Sequence, residues 1–521
     1  MSVFSYHDRT KHGLEQYAAG PETLDWTQQP DPFRKFQGAP RIPLPLVAQE
    51  LVTPFSEVYG KAPIQPISIE SIGMLLQLSM ALSAWKEYGP DRWALRCNPS
   101  SGNLHPTECY VLSLNIPGIE SGLYHYSSLD HALEKRCSVR RDGESKLHVG
   151  LSSIHWREAW KYGERAFRYC QLDIGHALGA LRYAAGVLGW RLDMLDSGNL
   201  EMAKLLGLDR ASDFAGAEPE EADLILEASF GSGQDREFSF PDLEMIDWAG
   251  RANLLDPHPM YRWQVIDEVA MATRRTAGFP PPAEFANHAD CPHAKDANAA
   301  RLILGRRSAQ HFDASFVMKQ DDFFLMLGRL LDRKSAPWDI WNFEPRVHPV
   351  FFAYRIDGMA PGLYAMPRSD AARAALRKTL RSDFLWEKVG SDSLPLYLLA
   401  KGDFRTVAKT LSCNQAIASN SCFSLGMLAE FEETVTHDPW RYRQLHWEAG
   451  LVGHVLYLEA EALGLRGTGI GCFFDDAFHE LLGLSGKAFQ SLYHFTVGMP
   501  LLDARISTLP PYPGRNLQEG Q

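Results

Sequence analysis

The stretch Asp173 to Gly189 reads DIGHALGALRYAAGVLG, and Glu448 to Gly464 reads EAGLVGHVLYLEAEALG. At a constant offset of 275, five positions are identical: Gly175/Gly450, Leu181/Leu456, Ala185/Ala460, Leu188/Leu463 and Gly189/Gly464. The first stretch is apolar nearly all round, which is typical of a helix at the centre of a protein. Its recurrence exceeds chance agreement and predicts a tandem duplication. The alternative is two unrelated domains whose central helices coincide.

A second short repeat accompanies the helix. Gly122-Leu123-Tyr124 recurs as Gly362-Leu363-Tyr364. Tyr124 precedes Asp173 by 49 residues, whereas Tyr364 precedes Glu448 by 84, so we expect an insertion of about 35 residues in the second half. Repeated strand and helix patterns in one order favour two related units.

Local patterns predict several further elements. They are a helix over 68–85 that starts at an N-cap-like Ser68, strands over 108–114, 122–126 and 224–231, and the central helix over 173–188. The first 66 residues are rich in Pro and aromatic residues, so we expect an arm that wraps a core. Residues 240–300 are polar and punctuated by Pro. We therefore predict an α+β protein of two tandem domains, residues 1–240 with the arm and residues 241–521.

Composition excludes some classes of protein. The chain has 521 residues, 45% hydrophobic and 22% charged, with a formal net charge of −12. That charge argues against binding to nucleic acid or to an anionic membrane. The N-terminus has no apolar signal-like run, and the longest uncharged stretch, Thr410 to Ala429, is too polar to span a bilayer. We expect a cytoplasmic protein.

The eight cysteines are scattered, at positions 97, 109, 137, 170, 291, 413, 422 and 472, and form no C-x-x-C pair. This spacing favours reduced, buried thiols over a disulfide framework or a zinc site. No His, Asp or Glu cluster has the spacing of a metal site. His176 and His446 lie in apolar surroundings, where we expect core histidines with their hydrogen bonds satisfied.

Arg306-Arg307-Ser308 follows the apolar run Ala299 to Leu304. Two guanidinium groups and a hydroxyl suit a phosphate, because Arg binds it bidentately and stays charged. The same pair is also compatible with a solvated loop. Arg505, after a predicted C-terminal strand, is a candidate third cation for the same anion.

Two Gly-containing loops offer groups for a flat ligand. Pro99-Ser100-Ser101-Gly102-Asn103 carries hydroxyls, a side-chain amide and backbone N–H groups at close range, although an ordinary turn has the same composition. Gly467-Thr468-Gly469-Ile470-Gly471 lets backbone amides approach a ligand closely. It does not fit the G-x-G-x-x-G dinucleotide pattern.

Together these motifs resemble the FMN-dependent nitroreductase superfamily. A longer string is similar to its SagB-type branch, the azoline dehydrogenases that oxidise thiazolines and oxazolines in peptides: Trp156-Arg157, then Lys161 to Arg165, Arg168-Tyr169, and Leu172 to His176. The resemblance covers most of residues 65–235 and 295–510. It implies two nitroreductase-like domains packed as an intramolecular pseudo-dimer, with FMN between them.

The resemblance also implies roles for individual residues. The phosphate would face Arg306, Arg307, Ser308 and Arg505; the ribityl chain and ring would contact Pro99, Ser100, Ser101 and Asn103, with Gly469, Gly471 and Gln415 near the ring. Gln310 stands where the family often has a cation, which would weaken phosphate binding or shift it to Arg505. Lys161-Tyr162 matches the catalytic Lys-Tyr pair of the azoline dehydrogenases.

Each signature occurs in one half only. The first half lacks an Arg-x-Ser signature near its start and the second half has no Pro-Ser loop, so we predict one FMN per chain and an empty mirror-related site. We expect an FMN-dependent oxidoreductase that moves hydride between flavin and an organic substrate, a peptide azoline or a small molecule, with Lys161 and Tyr162 handling protons. The alternatives are an NAD(P)H-dependent nitro or quinone reductase and a non-catalytic flavin- or partner-binding scaffold.

Overall fold

The computed structural model describes residues 1–231, 243–276, 278–279, 297–331 and 333–515. Its helices are α1 (Val3–Arg9), α2 (Ile69–Ser79), α3 (His155–Tyr162), α4 (Ala166–Val187), α5 (Asn199–Leu205), α6 (Gln264–Ala272), α7 (Ala299–Gly305), α8 (Gln320–Gly328), α9 (Asp370–Thr379), α10 (Arg405–Leu411), α11 (Ala416–Asn420), α12 (Glu432–His437), α13 (Arg441–Ala462) and α14 (Asp475–Leu482).

The strands of the first half are β1 (Phe36–Gln37), β2 (Arg41–Pro43), β3 (Leu82–Tyr88), β4 (Asp91–Arg96), β5 (Thr107–Leu114), β6 (Gly122–Ser127), β7 (Ala132–Arg140), β8 (Lys146–Ser153), β9 (Arg191–Met194), β10 (Glu221–Ser229), β11 (Glu244–Ile246) and β12 (Arg251–Ala252). Those of the second half are β13 (His311–Phe312), β14 (Val347–Ala353), β15 (Gly362–Ala365), β16 (Glu387–Val389), β17 (Leu396–Lys401), β18 (Phe423–Glu430), β19 (Arg466–Ile470), β20 (Phe489–Gly498), β21 (Pro500–Leu501) and β22 (Ser507–Leu509).

Each half is built on one antiparallel sheet, and the two sheets share a strand order. The first runs β11-β7-β6-β5-β8-β10-β9, and the second runs β16-β17-β15-β14-β18-β20-β19. The order β6-β5-β8-β10-β9 therefore recurs as β15-β14-β18-β20-β19. The predicted α+β architecture of two tandem domains is confirmed.

The Gly-Leu-Tyr repeat occupies equivalent places in both sheets. The Tyr124 hydroxyl donates to the carbonyl of Glu120 (2.9 Å), and the Tyr364 hydroxyl donates to that of Ala360 (2.5 Å), four residues upstream in each case. Gly122 and Gly362 each face a backbone carbonyl of the neighbouring strand so closely that a Cβ would lie about 2.5 Å from it or less. The same backbone approach in both halves explains why Gly recurs.

The central helices α4 and α13 cross between the sheets, and every residue of α4 is buried. A Cβ on Gly175 would lie 2.2 Å from the carbonyl oxygen of Trp447, and one on Gly450 would lie 2.2 Å from that of Leu172. The two contacts are related by the offset of 275. The largest apolar cluster joins side chains of both halves around this crossing, and smaller clusters lie behind each sheet.

The chain ends cross between the halves. Residue His12 of the arm pairs with Phe474, and β22 pairs with β3 in the small sheet β22-β3-β4. The Tyr512 hydroxyl accepts from the backbone N–H of Leu82 (3.0 Å). The arm thus wraps a core, as its aromatic content predicts.

Two element boundaries differ from the sequence prediction. The helix expected over 68–85 ends at Ser79, since residues 82–88 form β3, which pairs with β4 on one side and with β22 on the other. The Ser68 N-cap is confirmed by its side chain, which accepts from the backbone N–H of Ser71. Helix α4 begins at Ala166, seven residues before the predicted start.

The predicted domain boundary, between residues 240 and 241, lies outside the described residues and stays a prediction. Beyond it, β11 pairs with β7 and β12 with β1, so residues 244–252 hydrogen-bond to the first half. Within the described part of the chain, no helix is long and apolar enough to cross a membrane. The cytoplasmic location stays a prediction.

Candidate functional site

A cavity of about 780 Å³ lies between the two halves. The first half contributes the loop 98–103 and side chains from β4, α3 and α4, and the second half contributes residues 305–310, 468–472 and 500–504. Two other cavities in the described part of the chain hold about 10 Å³ each. The two signatures from opposite halves therefore face one space.

Arg306 anchors one corner of this cavity. It is the C-cap of α7 and only 4% exposed. Its Nε donates to the carbonyl of Cys97 and its Nη2 to that of Arg96, both at 3.2 Å, so a second-half side chain holds first-half backbone. Its Nη1 is buried without a hydrogen-bond partner. A buried guanidinium with one nitrogen unpaired is suited to an anionic ligand.

Three more cations, Lys86, Arg307 and Arg466, line the same corner. Burial and the neighbouring Arg306 lower the pKa of Arg307 to about 10. Burial, together with Arg307 and Arg466, also lowers the pKa of Lys86. Glu461 is a nearby counter-charge, 3.5 Å from the Nε of Arg466. The positive charges repel one another, so a bound anion such as a phosphate would relieve this corner.

Ser308 is tied to the Gly-rich strand through Tyr457. The Ser308 hydroxyl lies 2.8 Å from the Tyr457 hydroxyl, which accepts from the backbone N–H of Gly469 (3.0 Å). Gly469 packs so closely on Tyr493 that a Cβ would lie 1.7 Å from its hydroxyl. Any larger residue would displace these aromatic rings at the cavity wall.

The loop from the first half is fixed by a buried carboxylate. Asp173 accepts from the backbone N–H of Ser101 (3.0 Å) and from its hydroxyl (2.9 Å). The amide of Asn103 donates to the carbonyl of Ala94 (2.8 Å), and the Ser100 hydroxyl accepts from the N–H of His105. The side chains predicted to contact a flavin therefore also hold the loop itself in shape.

Titratable groups gather beneath this loop. Burial raises the pKa of Asp173 to about 7, opposed by hydrogen bonds from Ser100 and Ser101. Burial, and the nearby Glu158 and Tyr169, raise the pKa of Tyr162, so its phenol stays protonated. Glu158 is fully buried with both carboxyl oxygens unpartnered, and burial with the neighbouring Asp173 raises its pKa. Because their pKa values are raised, these three side chains are potential proton donors next to the cavity.

Tyr162 and Lys161 point in different directions. Tyr162 lines the cavity, with its hydroxyl beside Gly102. Lys161 does not belong to the lining; its Nζ lies 5.1 Å from the ring of Trp26 and 5.2 Å from that of Tyr162. Lys161 thus lies next to the rings of Trp26 and Tyr162 and outside the cavity lining.

The remaining predicted residues also divide into those that line the cavity and those that do not. The cavity lining includes Pro99, Ser100, Ser101, Asn103, Arg306, Arg307, Ser308, Gln310, Gln415, Gly469 and Gly471. Arg505 is not part of it: its side chain is 72% exposed and pairs with Asp503 at 2.7 Å. The cations that join Arg306 and Arg307 in the corner are instead Arg466, which directly precedes the Gly-rich stretch, and Lys86, which directly follows the helix predicted over 68–85.

The two histidines have different surroundings. His176 lines the cavity, and its Nε2 lies 3.0 Å from the Tyr493 hydroxyl, while its Nδ1 is buried without a partner. Burial lowers the pKa of His176 to about 3, so the ring is neutral. His446 bonds to the carbonyl of Tyr442 within its own helix (2.8 Å). His446 lies away from the cavity lining, as expected of a core histidine, but its Nε2 is buried without a partner, so the prediction of satisfied hydrogen bonds is wrong for both residues.

The prediction that the cysteines are all reduced is wrong for one pair. Cys413 and Cys472 form a disulfide, because two loops 59 residues apart in sequence meet at the cavity rim. Cys97, Cys109, Cys137, Cys170 and Cys422 are free and buried, as expected. Cys291 lies outside the described residues. In the described ranges, no group of His, Cys, Asp or Glu has the arrangement of a metal site.

In the second half, the space around Glu448, the residue equivalent to Asp173, is occupied by protein groups. Glu448, its equivalent on α13, accepts from the backbone N–H groups of Arg346 (3.0 Å) and Val347 (3.2 Å) and from the buried guanidinium of Arg368. That guanidinium lies 4.2 Å from the ring centre of Trp338. Where the first half has a loop facing a cavity, the second half has an ion pair packed on an indole ring.

Comparison with known proteins identifies relatives of this chain. Residues 366–499 match the model of the Nitroreductase family. The trifolitoxin-processing protein TfxB of Rhizobium leguminosarum bv. trifolii is 32% identical over 169 residues, which are 28% of this chain and 45% of that protein. A protein of Methanocaldococcus jannaschii provisionally named a nitroreductase is 27% identical over 129 residues, 22% of this chain and 64% of that one. The chain thus spans less than two thirds of each.

The fold has a match along nearly the whole chain. A crystal structure of a protein from Anabaena variabilis, provisionally named a nitroreductase, superposes with a TM-score of 0.71 at 20% identity, covering 96% of this chain and all of that one. The resemblance that the sequence motifs predict is confirmed at the level of the superfamily and of the two-domain fold.

Proposed function

We propose that this chain is an FMN-dependent oxidoreductase of the nitroreductase superfamily that passes hydride between the flavin and an organic substrate, a proposal supported by the Nitroreductase match over residues 366–499 and by the shared fold. The observation that carries the proposal is the large cavity whose walls come from both halves, with clustered cations at one end and a Gly-rich strand along one side. Its volume of about 780 Å³ is within the usual range for cofactor sites.

The residues fit the parts of FMN. The unpaired Nη1 of Arg306, with Arg307, Arg466 and Lys86, would hold the phosphate, and Ser308 would donate a hydroxyl hydrogen bond. The loop 99–103 would contact the ribityl chain and ring from the opposite wall, and Gly469 and Gly471, which line the cavity, would lie near the ring. When bound, the flavin supplies hydride transfer at its ring.

The chain's own residues would manage protons. The protonated phenol of Tyr162 lines the cavity and serves as a donor, while Asp173, whose pKa of about 7 lies near neutrality, accepts and releases a proton at its carboxyl oxygens. Lys161 lies next to the Tyr162 ring and outside the cavity lining, so we assign it a positioning role through its charge. In this proposal Tyr162 handles the proton, whereas the sequence prediction gives that task to Lys161 and Tyr162 together.

For the substrate we propose a peptide azoline. Two observations support this class: the string from Trp156 to His176 that resembles the SagB-type dehydrogenases, and the similarity to a trifolitoxin-processing protein. A small-molecule substrate with NAD(P)H as electron donor is the competing class. We keep the cytoplasmic location as part of the proposal.

Flavin content and reactivity test this function. Protein purified without added flavin should release one FMN per chain on denaturation, and its flavin absorbance should persist when NADPH is added anaerobically. Rapid bleaching by NADPH would instead establish the nitro or quinone reductase. Protein that holds no flavin and takes up none would contradict enzymatic function and favour a scaffold.

A further inference from the structure

The Cys413–Cys472 disulfide sits in the wall of the proposed flavin cavity. Cys472 lines the cavity directly after Gly471, and Cys413 lies two residues before Gln415, which also lines it. Both cysteines are half-buried. The bond thus joins the two segments that carry ring-side contacts in the proposed site.

The two segments are held together by more than the disulfide. The backbone N–H of Phe474 donates to the carbonyl of Leu411 (2.8 Å), and the side chain of Gln415 donates to the carbonyl of Cys472 (3.4 Å). These hydrogen bonds would keep two reduced thiols adjacent, so that the bond can re-form. Such a pair is suited to repeated opening and closing.

The backbone at Cys413 is strained in the way of functional sites. Cys413 and Asn414 both have positive φ, 51° and 60°, a conformation that costs free energy in residues other than Gly. The free cysteines of the described chain are buried instead, and burial raises the pKa of Cys97, Cys109, Cys137, Cys170 and Cys422. Buried thiols of this kind are inert. Of the cysteines in the described chain, the half-buried Cys413–Cys472 pair is therefore the one suited to redox chemistry.

We propose that this disulfide exchanges two electrons with the flavin, an inference that rests on the proposed function. In the step, reduced flavin gives two electrons and two protons to the pair: the S–S bond breaks, two thiols form and the flavin becomes oxidised. A small-molecule or protein disulfide then takes the two electrons from the thiols by exchange and restores the bond. The pair supplies an outlet for the hydride taken from the substrate.

Thiol counting in the flavin-loaded protein tests this step. The flavin is reduced by light with EDTA under anaerobic conditions, and the protein is then denatured in iodoacetamide and weighed by mass spectrometry. We expect two more alkylated cysteines per chain than in the dark sample, mapped to Cys413 and Cys472. A fully bleached flavin with an unchanged count would overturn the inference.

Two variants test whether the additional thiols come from Cys413 and Cys472. The double variant Cys413→Ser/Cys472→Ser should bleach with no gain of thiols, whereas Cys137→Ala, which removes a buried free thiol, should still gain two. If the double variant does not fold, the wild-type count still decides. Protein without bound FMN would contradict the proposed function, while bound FMN with no thiol gain would contradict this inference alone.

Discussion

At the scale of single residues, Arg306 both contacts the backbone of the other half and lines the cavity. It bonds to backbone carbonyls of Arg96 and Cys97 in the other half, and it lines the cavity with its Nη1 buried and without a hydrogen-bond partner. A phosphate paired with that nitrogen would gain a charge-assisted hydrogen bond worth about 1.5–3 kcal/mol. We therefore expect phosphate binding in this corner to depend on this guanidinium more than on its half-buried neighbours.

Replacing Arg306 by Gln should weaken FMN binding by about 10- to 100-fold, since the charge-assisted bond is lost. Titration of the flavin-free protein, followed by quenching of FMN fluorescence, measures the effect. Arg301→Gln is the matched control, because Arg301 is exposed on the same helix. Equal dissociation constants for the two variants would place the phosphate elsewhere.

Asp173 should make the stability of the folded protein depend on pH, and this effect can be measured without a substrate. Its pKa is raised from 3.8 to about 7 in the folded protein, so its contribution to stability is complete below pH 3.8 and is lost as pH rises through 7. Asp173→Asn should therefore gain stability relative to wild type between pH 4 and 8, by up to roughly 4 kcal/mol. Melting temperatures of the flavin-free proteins across this range measure it.

The exposed residue Asp142 provides the comparison for that experiment. Asp142→Asn should follow the wild-type melting curve at every pH, since its carboxylate is solvated in both states. A constant offset between Asp173→Asn and wild type from pH 4 to 8 would show that the carboxyl has no raised pKa. It would also remove Asp173 from the proton-handling role.

At the scale of elements, the crossing of α4 and α13 is the most demanding contact. A Cβ on Gly175 or Gly450 would meet a backbone carbonyl of the other helix at 2.2 Å, which no rotamer change relieves. We expect Gly175→Ala and Gly450→Ala each to destabilise the protein by roughly 3 kcal/mol or more. Urea unfolding measures this.

Gly231 is the control for these substitutions. A Cβ there meets nothing within 4 Å, so Gly231→Ala should leave the urea midpoint nearly unchanged. If the crossing variants behave like this control, the helices do not touch as described. If only one of the pair is destabilising, the two-fold relation between the halves does not extend to their packing.

The elements also show where sequence patterns fall short. The central helices and the Gly-Leu-Tyr strands were predictable, because each depends on local periodicity and a repeated Gly. Strand β3 was not, since residues 82–85 continue the apolar run of α2 and become a strand by pairing with β4, while β22, more than 400 residues away, pairs with residues 85–87. The apolar run carries no local signal of where the helix ends, and the distant contact with β22 leaves none either.

At the scale of the whole molecule, duplication has produced two halves with one strand order and unequal sites. Asp173 supports an open loop beside a large cavity, whereas its counterpart Glu448 is closed by Arg368 over Trp338. This asymmetry supports the expectation of one FMN per chain, which the flavin content measures. A content near two would require a second site that the packing around Glu448 does not leave open.

The sequence by itself indicated the resemblance to nitroreductases and the tandem α+β architecture, and most of the site residues that it predicted do line the cavity, because these depend on short motifs and on a repeat that is visible in the sequence. Only the tertiary structure decided the direction of each side chain. It turned Lys161 and Arg505 away from the cavity, brought Lys86 and Arg466 into it, placed Asp173 under the loop and joined Cys413 to Cys472. These outcomes depend on which distant segments pack together, and residue types alone do not specify that packing.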